Sequence, residues 1–307
     1  MNRRLLILGS ITGIGIVLAL GIICFRVPDE KSKKQEKEVR ISEPERPVAA
    51  GFPQITSSYG MRIIEAESKD VFQIVNPEDD KTTAIRLRLV HALPDTLSAK
   101  DRAAIVEYLK YGPNSDIEYV IKNDLMNKLR NQKVLPPELT GALLDLYSDR
   151  EQDMVVRSYA LQHLRPQYEL TGEVEIAKAF LAALDESENE IAGGALLALR
   201  YLATEYPDEF SAPEVSARAA QIAADTNCYI LTRISAIQVA SQLGNSEVAI
   251  VARQLAEDET TPLVLRLSAV AGLGILKSPE SVPLLQTLAK REDPIGNAAR
   301  AALVRIN

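Results

Sequence analysis

Apolar, basic and small residues recur along this chain in one order: an apolar residue, a cation, two variable positions, a small residue, three variable positions and a leucine. The clearest copy is Leu265, Arg266, Ala269 and Leu273. Others run Val156-Arg157-x-x-Ala160-x-x-x-Leu164, Ile191-Ala192-x-x-Ala195-x-x-x-Leu199, Thr232-Arg233-x-x-Ala236-x-x-x-Ala240 and Ile295-Gly296-x-x-Ala299-x-x-x-Leu303. Two leading copies, Ile85-Arg86-x-x-Leu89-x-x-x-Leu93 and Ile121-Lys122-x-x-Leu125-x-x-x-Leu129, carry Leu at the small position. The central residues fall at 89, 125, 160, 195, 236, 269 and 299, and so lie 30 to 41 residues apart. That is the period of arrays of paired helices.

Apolar residues at i, i+4 and i+8 share one stripe of an α-helix, so each copy predicts a helix with a core-facing seam. Acidic, turn-like stretches precede the copies, among them Asp149 to Asp153, Asp185 to Glu190, Asp225-Thr226-Asn227 and Asp258-Glu259-Thr260. Asp, Asn and Ser accept hydrogen bonds from the free N–H groups of a first turn, and negative charge suits that end of the helix. These stretches are predicted joints between antiparallel partners. Companion helices are expected near 69–76, 98–110, 136–148, 172–184, 212–224, 246–257 and 279–290. Ser98 with Asp101 and Ser211 with Glu214 have the spacing of capping boxes. Pro136-Pro137, Pro213 and Pro279 suit first turns, where no N–H is needed. The expected fold is all-α, an α-solenoid of about seven antiparallel helix pairs over residues 69–307.

Upstream the pattern changes. Leu5 to Phe25 is a run of 21 residues without a charge after Asn2-Arg3-Arg4. At about 1.5 Å per residue it matches the roughly 30 Å hydrocarbon core, so residues 1–26 read as a transmembrane anchor, with a cleaved signal peptide as the competing reading. Gly9-x-x-x-Gly13 inside the run offers a close-packing face for self-association. Six basic residues follow the span against Arg3 and Arg4 before it. A short basic start with no preceding domain nevertheless favours an exported array, periplasmic or otherwise extracytoplasmic, in a bacterial cell. Residues 27–68 hold a mixed-charge run and Pro44, Pro47 and Pro53, the composition of a disordered tether.

The best-formed unit adds a family likeness. Ser281-Val282-Pro283-Leu284-Leu285-Gln286-Thr287-Leu288, followed by Asp293-Pro294 and Ile295 to Leu303, resembles a HEAT repeat, and the units at 153–164 and 258–273 are similar to it. Ala192 and Gly296 stand where that family usually has Arg, and Leu89 and Leu125 where it usually has Ala. The resemblance implies a right-handed superhelix with a concave binding face. It supplies no activity of its own. Arg157, Ala160, Ala195, Arg233, Ala236, Arg266, Ala269 and Ala299 are accordingly structural repeat positions. The small residues let helices approach to about 8–10 Å, and each Arg is expected to pair with a joint carboxylate of its own or the next repeat.

Chemistry-bearing motifs are scarce. The two histidines, His91 and His163, both lie in predicted core helices, no closely spaced Cys and His set exists, and Cys228 stands alone in the soluble part. The His-Glu pairs on which the di-iron HEAT-like hydroxylases rely are missing, and nothing resembles the phycobilin lyases. The expectation is no enzyme, no metal and no cofactor. Residues 69–307 hold 25 basic and 34 acidic groups, a net charge of −9, which repels phosphate backbones and argues against nucleic acid. What remains is a scaffold or adaptor that holds a protein partner near a membrane, or an accessory, chaperone-like subunit of an enzyme complex, with a HEAT-like lyase as a distant third reading. Arg88, Lys128, Gln162, Arg200 and Gln238, between the core stripes of the second helices, are the candidate contact residues.

Overall fold

The computed structural model describes residues 63–76 and 83–306. The expected anchor, nearly all of the tether and the Gly9-x-x-x-Gly13 face lie outside the described residues. Among those described, no helix is long and apolar enough to cross a membrane.

Fourteen α-helices are present among the described residues: α1 Lys69–Val75, α2 Thr83–Ala92, α3 Ala99–Tyr111, α4 Asp116–Arg130, α5 Leu139–Ser148, α6 Met154–Thr171, α7 Val174–Ala183, α8 Ile191–Glu205, α9 Ala212–Ala224, α10 Ile230–Gln242, α11 Glu247–Glu257, α12 Leu263–Leu276, α13 Val282–Leu288 and α14 Pro294–Ile306. They form seven consecutive pairs, α1 with α2 through α13 with α14, because each helix packs on its chain neighbour. The second helices of the pairs pack one on the next in an unbroken row from α2 to α14. In the row of first helices close packing is confined to α1–α3, α3–α5 and α9–α11. The sheetless, repeated architecture expected from the period is therefore present.

The central position of six of the seven copies explains the asymmetry between rows; Leu89, in the first, is only partly buried. Leu125, Ala160, Ala195, Ala236, Ala269 and Ala299 are fully buried, and in the five copies with alanine a methyl group keeps two backbones near van der Waals contact. Closest approach is reached where the chain has glycine. A Cβ on Gly274 of α12 would lie 2.8 Å from Ala302 Cα of α14, and one on Gly193 of α8 would lie 3.2 Å from Thr232 Cα of α10. Gly194, next in sequence, faces open space.

Helix starts follow the cap chemistry with instructive exceptions. Ser68, Ser98, Ser115 and Ser211 each accept a hydrogen bond from an N–H in the first turn of α1, α3, α4 and α9. Asp101 does not complete a capping box with Ser98. Its buried carboxylate instead accepts the Glu67 and Ser68 amides at 2.8 and 2.9 Å, fastening the start of α1. Pro136 and Pro137 precede α5 rather than opening it, since a turn from Leu139 N–H to the Pro136 carbonyl intervenes. At the far end Pro279 lies in a short 3-10 turn, Pro279–Ser281, and α13 begins only at Val282.

Successive pairs are tied at their joints by polar rungs. Gln152 Nε2 donates to the Lys110 carbonyl at 2.8 Å, the Tyr119 hydroxyl to Asp153 at 2.9 Å, and the Tyr229 amide to the Ser187 carbonyl at 2.8 Å. Tyr168 of α6 meets Tyr206 and Phe210 edge-on at 5.8 and 5.1 Å, which holds the α8–α9 connection against α6. Cys228 is buried in its joint, where burial pushes its thiol pKa up.

Candidate binding surface on the second helices

The repeated cation is the first candidate for chemistry, and its placement is structural. Arg86, Lys122, Arg157, Arg233 and Arg266 are all buried. Each turns back ten to twelve residues to a carbonyl at the end of its own first helix. Arg86 Nε donates to Ile74 O at 2.9 Å, Arg157 Nε to Tyr147 O at 2.8 Å, Arg233 Nε to Ala223 O at 3.1 Å, and Arg266 Nη2 to Ala256 O at 3.1 Å. Lys122 Nζ reaches Gly112 O at 2.9 Å and Asn114 Oδ1 at 2.7 Å. The last carbonyls of a helix have no partner within it and carry its negative dipole end, so a cation there satisfies both.

The expected carboxylate partner is found in two copies only. Arg86 is bidentate to Glu118 at 2.6 and 3.0 Å, with the Tyr108 hydroxyl donating to the same carboxylate. Arg157 binds both oxygens of Glu186 at 3.0 and 2.8 Å. Glu118 and Glu186 both belong to the next repeat. Arg233 and Arg266 form no ion pair with a described residue.

The two copies without the cation solve the same problem differently. After α7, the amides of Leu184, Asp185 and Glu186 cover the carbonyls of Leu181, Ala182 and Ala183, so Ala192 has nothing to cap. Gly296 could not carry a side chain, because its Cβ would fall 2.0 Å from Arg291 O. Arg300, one turn later, donates to the Ala289 carbonyl in its place.

Aligning the second helices on their central residue brings a different set into register. Arg130, Arg165 and Arg200 each stand five positions after Leu125, Ala160 and Ala195, on three adjacent helices, α4, α6 and α8. All three are partly buried. Arg165 Nη1 donates to Glu169 at 2.8 Å, and its guanidinium lies 4.3 Å from the Tyr201 ring centroid of α8. A hydrogen bond to Glu169 raises the pKa of the Tyr201 hydroxyl. Arg130 Nη2 donates only to Asn127 Oδ1, at 3.0 Å. Burial, and then the positive charge of Arg165, lower its pKa from the usual guanidinium value. The Arg200 side chain makes no hydrogen bond or ion pair with a described residue, and its Nε is fully buried.

Two further polar groups beside this row are unsatisfied. His163 of α6 hydrogen-bonds Asn123 through Nε2 at 3.1 Å while its buried Nδ1 is unpartnered among the described residues. Burial and then the nearby Arg130 hold its pKa down to about 3. Gln167, with no exposed surface, has neither amide atom hydrogen-bonded to a described residue. Buried polar groups are normally paired, so such orphans mark places worth explaining.

The five candidate contact residues do not converge on one point. Arg88 and Gln162 are exposed; Arg88 donates weakly to Ala84 O at 3.4 Å and Gln162 to Ser158 Oγ at 3.3 Å. Lys128 is half-buried and its ammonium is held by Leu93 O of the preceding repeat at 3.1 Å. Gln238 is half-buried, and Arg200 alone joins the arginine column. His91 is exposed rather than in the core, hydrogen-bonded at 2.9 Å to Asp124 of α4 in the next pair, because it stands two residues after Leu89 and so off the apolar stripe of its helix. Arg130 and Arg165 were legible only through the register: they stand one position beyond the last apolar residue of the pattern.

The fold and surface together define an all-helical repeat protein. No family model matches the chain, and no curated protein matches it. Among solved structures it is similar to human deoxyhypusine hydroxylase in complex with glycerol, at 16% identity and a TM-score of 0.35, over 77% of this chain and 94% of that one. The expectation that the chain is not an enzyme is corrected here, since this solved structure is that of an enzyme. The likeness assigns neither a reaction nor a residue. Among the described residues no group of three or more His, Cys, Asp or Glu could hold a metal ion.

Proposed function

We propose that this chain is a HEAT-like repeat protein that holds a protein partner on its row of second helices, with residues 5–25 tethering it to a membrane. The observation that carries the reading is Arg200, a partly buried guanidinium without a partner among the described residues, on an unbroken helical row. Desolvating a charge without pairing it is costly, so its retention on a surface is best accounted for by a partner that completes it. The arrangement also suits repeat proteins in general, where stacked helices present a long continuous face. The uncharged segment Leu5 to Phe25 supports the tether.

The test is site-specific photo-crosslinking in the intact membrane. A crosslinker at Gln162 or Gln238, on the second-helix row, should trap the same protein from both positions. The same group at Lys178, on α7 of the other row, should trap none of it. Equal yields from all three positions, or no reproducible partner, would sink the reading.

A further inference from the structure

Three arginines repeat at one register position on three neighbouring helices, in a body whose net charge is −9 over residues 69–307. Only one of them has an ion pair with a described residue, Arg165 with Glu169 at 2.8 Å. Glu205, itself exposed, is the other carboxylate whose charge acts on Tyr201. Adjacent packed helices stand about 8–10 Å apart, and a peptide extended in the polyproline II conformation advances about 3.1 Å per residue with about three residues per turn, which returns every third side chain to one face. Side chains three residues apart on such a peptide therefore match successive helices of the row.

Resting on the reading that the second-helix row is the binding face, we propose that Arg130, Arg165 and Arg200 form an anion-binding column for an extended acidic peptide, taking carboxylates spaced three residues apart across α4, α6 and α8. A guanidinium presents a planar fork of donors that fits a carboxylate bidentately, which makes Arg the suited residue at each position. Arg200 has its donors free, Arg130 spends one on a neutral amide, and Arg165 is preoriented by stacking on Tyr201. Glu169 occupies part of the column when it is empty, acting as an internal competitor for Arg165. Polyphosphate chains fit less well, because the acidic remainder of the body repels a continuous line of charge.

The test uses the full chain and a fluorescein-labelled peptide, Glu-Ser-Gly-Glu-Ser-Gly-Glu, followed by fluorescence anisotropy at low salt. The same peptide with Gln for Glu should bind at least about tenfold more weakly, and Arg200→Gln should weaken binding of the acidic peptide about tenfold, as loss of one charge-assisted contact does. Arg200→Gln should melt like the parent, since the side chain has no partner to lose. Glu169→Gln should tighten binding several-fold by releasing Arg165, whereas a purely structural triad would leave binding unchanged or weaken it. Arg253→Gln, on α11 of the other row, should change nothing. Unchanged affinity in both Arg200→Gln and Glu169→Gln overturns the assignment, as does tighter binding of a single-stranded oligonucleotide or equal competition by inorganic phosphate. If crosslinks from Gln162 and Gln238 persist while the acidic peptide does not bind, the face binds a partner and only the carboxylate assignment fails.

Discussion

Substituting alanine at Gly274 and at Gly194 should move stability in opposite directions. Both glycines lie inside second helices, α12 and α8, with ordinary helical backbone. Alanine is worth about 0.8–1 kcal/mol more than glycine in a helix interior. At Gly194 the new methyl would meet nothing within 4 Å, so that gain is realised in full. At Gly274 it would sit 2.8 Å from Ala302 Cα, 2.9 Å from Ala302 Cβ and 3.4 Å from Ala302 O. Carbon atoms prefer about 3.5–4.0 Å, so the α12–α14 seam has to open by roughly 1 Å. The obstacle is backbone and cannot rotate away. Overpacking costs about 1–3 kcal/mol, and against unyielding backbone the upper half of that range, about 2–3 kcal/mol, applies, which leaves a net loss of about 1–2 kcal/mol after the propensity gain. For a body of this size each kcal/mol moves the melting temperature by about 2–4 °C. Gly194→Ala should melt about 2–4 °C higher and Gly274→Ala lower by a similar or larger amount, read by calorimetry and confirmed by urea titration. Equal or greater stability of Gly274→Ala would mean that the second helices do not meet where Ala302 faces Gly274. A destabilised Gly194→Ala would mean that something covers that face.

Two further outcomes follow from buried polar groups. Arg157→Met removes the buried one of two cations paired with Glu186, leaving the more exposed Arg150 at 2.5 Å and the Tyr147 hydroxyl at 3.1 Å, and removes the cap of Tyr147 O. It should cost about 1–3 kcal/mol in urea titration. Arg157→Met combined with Glu186→Met should recover part of that loss, because no buried carboxylate is then left to depend on the exposed Arg150 alone. His163 is neutral in the folded chain down to a pKa of about 3 but titrates near 6.5 when unfolded. The unfolded state therefore binds the extra proton between those values. His163 thus contributes a loss of stability as pH falls from about 6.5 toward 3, at most about 5 kcal/mol. His163→Gln should flatten the urea midpoint between pH 7 and 4, and an unchanged slope would refute the assignment.

The helix pairs were legible because burial on one stripe imposes a spacing that sequence displays directly. Ala160, Ala236 and Ala269 are fully buried where the spacing put them. What sequence spacing could not display was the choice between partners at similar separation. Arg157 has both the Tyr147 carbonyl, ten residues back, and Glu186, twenty-nine residues ahead. Only the carbonyl recurs in Arg233 and Arg266, since backbone acceptors exist at every helix end while acidic side chains do not. Asp101 misled for the same reason: a capping-box spacing is local, and its carboxylate was claimed by amides thirty-three and thirty-four residues earlier. The arginine column was hidden because it lies outside the apolar pattern used to align the copies. It emerges once the helices are superposed by register rather than scanned for motifs. His91 shows the limit of assigning a whole helix to the core, since a side chain two residues off the apolar stripe is exposed.

The apolar interior among the described residues falls into two contiguous clusters. One runs from Ile64 to Leu265, and the other joins Ala249, Ala252 and Ala256 of α11 to residues of α12, α13 and α14. In a linear stack each pair is held by its neighbours only and, in every pair but α7–α8, by its own cation–carbonyl clasp, so opening is free to start at an end and halt at a weak seam. The last two pairs should behave as one foldon. Amides of α12 and α14 should exchange together, at a lower free energy than those of α6 and α8, which are sealed on both sides. A repeat body assembled this way can lose its terminal pairs and close again while the arginine-bearing helices stay folded.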